Sequence, residues 1–327
     1  MCDSKNLHAE IIEEDDIGEF FTSSSGTSPE EAADRIKVMR QQEESMLCTD
    51  YLSHNFGRSN NLQRAVDVDC RTKMCEWCYQ VADFCKYQRE CVGIGMYYLD
   101  RFLCSGSTGA RAALTDRKLY QLAAMTSFFI AIKLFESSNS QIEVKTLSQL
   151  SRGCYSEEEI VDMESQILSS LSWRMHQPTS VAFVHHFLTL LPTHRGHDKV
   201  ALQILLDVSL YQTELAVGEY ELAFKRPSSI ALAAIINAMN ILGKEHFTEL
   251  EKVHFLEILS SAANINPASF EMQNIEKFLG FCLSKNASEE MTHALRQINV
   301  RQHNSDSTSP YGSPTCVTDS YLHTAQQ

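Results

Sequence analysis

Four charged residues interrupt apolar stripes, and their placement needs an explanation. Glu164 lies three or four residues from Ile160, Val161, Ile167 and Leu168. On a helix it therefore points with the apolar side. Lys133 is the next step after Leu119, Leu122, Thr126 and Phe129, which follow one another at spacings of three and four. Two explanations stay open for both. They are rim charges whose stems snorkel out of a core, or they crown a surface where another protein docks. Arg71 aligns with Met74, Cys75 and Cys78, and Asp100 with Met96, Tyr97 and Leu103. The two segments are consecutive. A buried ion pair between them would fix packing rather than do chemistry.

Other reactive residue types form no catalytic set. Cys75-x-x-Cys78 is a lone pair with no second pair at zinc-ribbon spacing, so structural thiols are expected. His185-His186 lies in an apolar run without the H-E-x-x-H context of a zinc enzyme. There is no P-loop, no G-x-G-x-x-G and no G-x-S-x-G. Nothing assembles a nucleophile, a base and an oxyanion hole. The expectation is a protein with no catalytic residue, no metal and no cofactor.

The elements that carry these residues read as helices. No proline falls between Pro29 and Pro178, and β-branched alternation is scarce. Ser28-Pro29-Glu30-Glu31 has a cap, a proline at the first helical position and acids in the first turn. Ser156-x-x-Glu159 is a capping box, and Asn266-Pro267 reads as a further cap and first position. A helix is expected over 29–56, then five over 69–87, 90–104, 115–134, 142–152 and 156–171. A second set follows over 178–190, 197–216, 227–242, 248–263 and 267–284. Leu122-Ala123-Ala124 and Leu232-Ala233-Ala234 stand 110 residues apart, each in the third helix of its set. Small residues there suit central helices with close neighbours.

Composition narrows the function classes. The 327 residues suffice for two domains. The net charge of −14 argues against general nucleic-acid binding, which needs clustered Lys and Arg. The apolar runs Phe128–Ile132 and Ile230–Ile236 are too short to span a bilayer, so no membrane insertion is expected. Eleven cysteines follow an acidic start without an apolar leader, and are expected as reduced thiols inside a cell.

At this point a family resemblance enters. Cys70-Arg71-Thr72-Lys73-Met74-Cys75-Glu76-Trp77 resembles the cyclin-box opening M-R-x-x-L-x-D-W. Tyr97–Leu103 is similar to its Y-[IL]-D-R-F-L helix, and Ile130–Glu136 to its A-S-K-F-E-E segment. Met163-Glu164 with Leu171-Ser172-Trp173 resembles M-E…L-x-[FW], and Arg226–Ala231 the P-S-x-[IL]-A junction of the second box. The motifs run in order across about 45–285, and the flavour is of cell-cycle cyclins with some D-type character.

The resemblance implies an all-α fold of tandem five-helix boxes. The division would be a 1–28 acidic and Ser/Thr-rich disordered segment, a 29–64 helix and linker, boxes over 65–176 and 177–285, and a 286–327 disordered tail. It implies a regulatory subunit, present in nucleus and cytoplasm, that allosterically activates a cyclin-dependent protein kinase. Lys133 and Glu164 would hold the kinase's regulatory helix, with Leu134, Leu168, Trp173 and Met175 around them. Arg71 and Asp100 would pair inside the first box. Substrates or inhibitors would dock on a patch of Cys70, Lys73, Met74, Trp77, Gln80, Tyr120 and Gln121, although Lys73 would repel a basic motif. Ser28, Ser309 and Ser313, each before a proline, are phosphorylation candidates. The rival readings are a cyclin-fold transcription factor or adaptor, and a helical scaffold that activates no kinase.

Overall fold

The computed structural model describes residues 28–53, 66–136, 142–192, 199–244 and 246–286. Among them the chain forms twelve α-helices and no strand, the all-α class expected. In order they are α1 (Pro29–Glu44), α2 (Val68–Cys85), α3 (Glu90–Cys104), α4 (Thr108–Thr115), α5 (Arg117–Phe135) and α6 (Val144–Leu150). There follow α7 (Glu157–Ser170), α8 (Ser180–Leu188), α9 (Lys199–Gly218), α10 (Pro227–Leu242), α11 (Glu249–Ala263) and α12 (Phe270–Asn286).

Local chemistry sets most of the boundaries. Capping boxes open α1 (Ser28 with Glu31), α7 (Ser156 with Glu159) and α11 (Thr248 with Glu251). Asp67, Ser107 and Thr179 cap α2, α4 and α8 through backbone N–H groups three residues on. Each cap satisfies a donor that the helix leaves unpaired.

Three expectations are corrected. The first helix stops at Glu44, not near 56. Its last turn carries Glu43 and Glu44 and no base, a poor match to the helix dipole. Beyond it the chain turns, and Asp50 takes the backbone N–H groups of Leu52 and Ser53 at 3.1 and 3.0 Å. The short helix α4 was not anticipated; Ser107 starts it. Asn266 does not cap α12. Its side chain takes the Ala268 N–H at 3.0 Å in a turn, and Ser269 caps a helix that begins at Phe270.

The buried apolar residues form two clusters. Helices α2 to α7 enclose the first. Helices α8 to α12 enclose the second, and α1 joins it through Ala32 and Ile36. In α5 every residue from Tyr120 to Ile132 is buried, and in α10 every residue from Ser228 to Ile235. A helix apolar on all sides belongs at the centre of its bundle. The Ala123-Ala124 and Ala233-Ala234 pairs lie in these two helices, fully enclosed. Gly95 of α3 meets the backbone of α5 so closely that an added Cβ would sit 2.7 Å from the Phe128 Cα. Helices α5 and α9 are long and apolar enough to cross a bilayer on length and composition, contrary to the reading of short runs. Thr126 and Ser127 extend the Phe128–Ile132 run within α5, and the apolar faces of both helices are taken up in the two cores.

Candidate functional site

The charges that broke the apolar stripes converge in two places. One is a surface at the carboxyl end of α5 and along α7. Lys133 occupies the last turn of α5, where a cation suits the helix dipole. Its Nζ lies 2.5 Å from Oε1 of Glu164 and 4.9 Å from the Phe129 ring centre. The side chain of Glu164 is 15% exposed and that of Lys133 40%. The pair is therefore neither core nor fully solvated.

Apolar side chains surround it without cover. Leu134 is 45% exposed, Val161 49% and Trp173 70%, and Phe135 is exposed beside His176. Leu168 is half-buried. Helix α7 explains the arrangement. Ile160, Met163, Ile167 and Leu171 form its buried side. Val161, Glu164 and Leu168 form a second stripe at spacings of three and four, displaced toward solvent. Val161 lies outside the core face, because periodicity does not resolve how wide a strip the neighbouring helices cover. Phe135 was missed because an apolar helix end reads as core.

The turn after α7 places Trp173. Leu171 N–H donates to Ile167 O and Trp173 N–H to Leu168 O, at 2.9 and 3.0 Å. Ser172 and Trp173 both adopt left-handed backbone, with φ of 53° and 59°. Such residues cost about 1 kcal/mol or more each when they are not glycine. The strained turn carries the most exposed aromatic group of this surface.

The second convergence is buried. Arg71 of α2 and Asp100 of α3 form a two-pronged pair, Nε–Oδ1 3.0 Å and Nη2–Oδ2 2.8 Å. Arg71 Nη1 donates to the Val217 carbonyl of α9 at 2.8 Å, and the Tyr51 hydroxyl donates to Asp100 Oδ1 at 2.7 Å. Burial pushes the Tyr51 hydroxyl up, and the Asp100 charge adds to it. The ion pair thus ties α2, α3, the 45–53 segment and the second cluster together.

Known proteins resemble this chain in sequence and fold. Residues 34–176 match the family model described as cyclin, N-terminal domain. Cyclin-A1-4 of Oryza sativa subsp. japonica is 28% identical over 181 residues, 55% of this chain and 48% of that protein. Cyclin-B2-1 of the same plant is 29% identical over 220 residues, 67% of this chain and 46% of that protein. Over residues 34–176 the chain is similar to the cyclin family. The match spans about half the length of these cyclin relatives. A viral cyclin from Herpesvirus saimiri shares the fold, with a TM-score of 0.56, 16% identity and coverage of 76% of this chain and 96% of that one.

Two groups expected at a docking surface are buried here. Met175 is 6% exposed and packs in the first cluster, so its side chain is not offered to a partner. Only its carbonyl is engaged, by the Tyr98 hydroxyl at 2.5 Å. Most residues of the expected docking patch are likewise enclosed. Cys70, Met74, Trp77, Tyr120 and Gln121 are all buried. Met74 and Tyr120 lie on the inner faces of α2 and α5, and Gln121 receives the Tyr155 hydroxyl at 3.2 Å. Of the expected patch only Lys73 and Gln80 reach solvent, and Lys73 pairs with Asp69 at 2.8 Å.

The remaining candidates have plain surroundings. Cys75 and Cys78 are both buried, and burial pushes the Cys75 thiol up to about 12. Burial lowers the basicity of His185 and His186. Among the described residues no three His, Cys, Asp or Glu side chains gather as a metal site. Ser28 caps α1, its Oγ accepting the Glu31 N–H at 3.2 Å. Ser309 and Ser313 lie outside the described residues.

Proposed function

We propose that this chain is a cyclin-like regulatory subunit that binds a cyclin-dependent protein kinase and activates it. The observation that carries the reading is the Lys133–Glu164 pair, half-buried amid the uncovered Leu134, Phe135, Val161 and Trp173. A fixed charge pair ringed by exposed apolar groups suits a partner helix. The apolar groups supply burial, and the charges select which backbone and side-chain groups are held. The similarity to A- and B-type cyclins supports the reading of a cyclin-like regulator.

The mechanism is a population shift. An active kinase needs its β3 lysine paired with the glutamate of its αC helix. A subunit that binds better when αC is turned inward raises the share of that state by its differential affinity. The subunit contributes no group to phosphoryl transfer. It acts by holding a helix, in nucleus and cytoplasm alike.

The test is co-purification with candidate kinases. Lys133→Ala with Glu164→Ala should abolish association and stimulated activity while the helical circular-dichroism signal stays unchanged. Full kinase capture by the doubly substituted protein would refute the assignment.

A further inference from the structure

The segment 45–53, which leads out of α1, grips both apolar clusters. One stripe of α3 holds it to the first. The Tyr97 hydroxyl donates to the Met46 carbonyl at 2.7 Å, the Tyr51 hydroxyl to Asp100 at 2.7 Å, and the Cys104 thiol to the Thr49 carbonyl at 3.1 Å. Residues 97, 100 and 104 are spaced by three and four, so they share one helix face. The second hold is on the stretch between α9 and α10. There the Tyr220 hydroxyl donates to Asp50 Oδ1 at 2.7 Å. The Leu52 N–H is shared between Asp50 Oδ1 and that hydroxyl, at 3.1 Å each. The Tyr51 ring meets Tyr220 and Phe224 edge to face with centres 5.5 and 5.9 Å apart, and those two rings meet each other at 4.8 Å.

The two clusters fit each other less completely. A cavity of about 350 Å³ lies at their seam, with Gly93 and Ile94 of α3 on one side and Val181, Leu210 and Ile230 on the other. Close-packed interiors leave few voids larger than a water molecule, so apolar contact across this seam is a weak guide to how the clusters sit. Polar ties converge on the last turn of α9. Arg71 donates to the Val217 carbonyl at 2.8 Å, Arg89 pairs with Glu214 at 2.8 Å, and the Tyr79 hydroxyl donates to the Glu214 carbonyl at 3.3 Å. Bonds gathered at one helix end make a pivot and leave rotation about it to be fixed elsewhere.

We infer that segment 45–53 is a strap that fixes the orientation of the two clusters, with Tyr220 as its catch and the last turn of α9 as the pivot. Tyr220 is half-buried, and its bond to Asp50 lies at the surface. That bond competes with water and opens without unpacking either core. Glu43 and Ser228 keep α1, at the near end of the strap, on the second cluster. Release of the catch therefore loosens the seam and widens the cavity without separating the clusters.

The test is hydrogen exchange read by mass spectrometry on the full chain. Tyr220→Phe keeps the ring and removes both hydrogen bonds of the catch. Exchange should rise about tenfold over 45–53, and equally over 176–181 and 214–224, which border the cavity. The interiors of α5 and α10 should stay protected. Asp50→Ala, which takes the catch apart from the other side, should give the same pattern. A rise confined to 45–53 would overturn the inference, because the segment would then be a loop that restrains nothing. Unchanged exchange at the seam, an even rise through α5 and α10, or loss of the helical signal would overturn it as well.

Discussion

Glu43 of α1 caps the amino end of α10 from 185 residues away. Its carboxylate accepts the Ser228 N–H at 3.0 Å and the Ser228 hydroxyl at 2.6 Å, and it pairs with Arg40. Arg226, in the cap position of α10, offers no side-chain acceptor, so Glu43 supplies one. A buried carboxylate is stable here because every partner is a donor.

Glu43→Ala should therefore destabilise the fold by about 3 kcal/mol, since it removes the counter-charge of Arg40 and leaves the Ser228 N–H unpaired. Ser228→Ala should cost less, about 1 kcal/mol, because the backbone donor keeps its carboxylate. Urea unfolding of the two single variants and the double variant measures the coupling. Independent, additive losses would show that the cap contributes nothing.

Asp100→Asn should cost about 3–5 kcal/mol, because Arg71 stays buried without its counter-charge. Tyr51→Phe removes one hydrogen bond to Asp100 and should cost only about 1–2 kcal/mol. The order of the two losses in thermal unfolding checks the hub. Equal losses would contradict it.

Two glycines should respond in opposite directions. Gly95→Ala places a methyl 2.7 Å from the Phe128 Cα, a backbone atom that moves only with its helix. A loss of about 1–3 kcal/mol is expected. Gly218 ends α9 with open space around it, so Gly218→Ala should stabilise by about 0.5 kcal/mol. Chemical denaturation separates the two.

Trp173→Gly should divide stability from function. Glycine accepts the φ of 59° without penalty, so the fold should gain up to about 1 kcal/mol. Loss of the exposed indole should weaken kinase binding at least about tenfold. A melting curve and a titration on one preparation read both. Weaker binding with lower stability would point to misfolding instead.

Asp50 sets an acid-side dependence. Partial burial raises its carboxyl, but hydrogen bonds from Ser53 and the Tyr220 hydroxyl outweigh this and bring it from 3.8 down to about 2. A depressed acid stabilises the fold above the unfolded value and loses that contribution as pH falls toward the folded one. Asp50→Ala should therefore flatten the stability profile between about pH 4 and 2 and leave its shape unchanged near pH 7. An unchanged acid limb in unfolding experiments would refute this.

Local pattern carried much of this protein. The 3.6-residue periodicity, the Ser28 and Ser156 capping boxes and the long proline-free stretch were enough for the helices and the all-α class. Arg71, Asp100, Lys133 and Glu164 stood out as charges on apolar faces, and the family motifs ran through the same positions. These features are legible because they depend on residues within a turn or two of each other.

Tertiary packing decided the rest. Periodicity tells which side of a helix is apolar, but not how wide a strip its neighbours cover. So Val161 and Phe135 face outward, while Met74, Tyr120 and Met175 are enclosed. The capping of α10 by Glu43 and the bond from Arg71 to the Val217 carbonyl join residues far apart in sequence. Such contacts exist only once the helices have docked, because each partner is supplied by a different element and no local spacing encodes it.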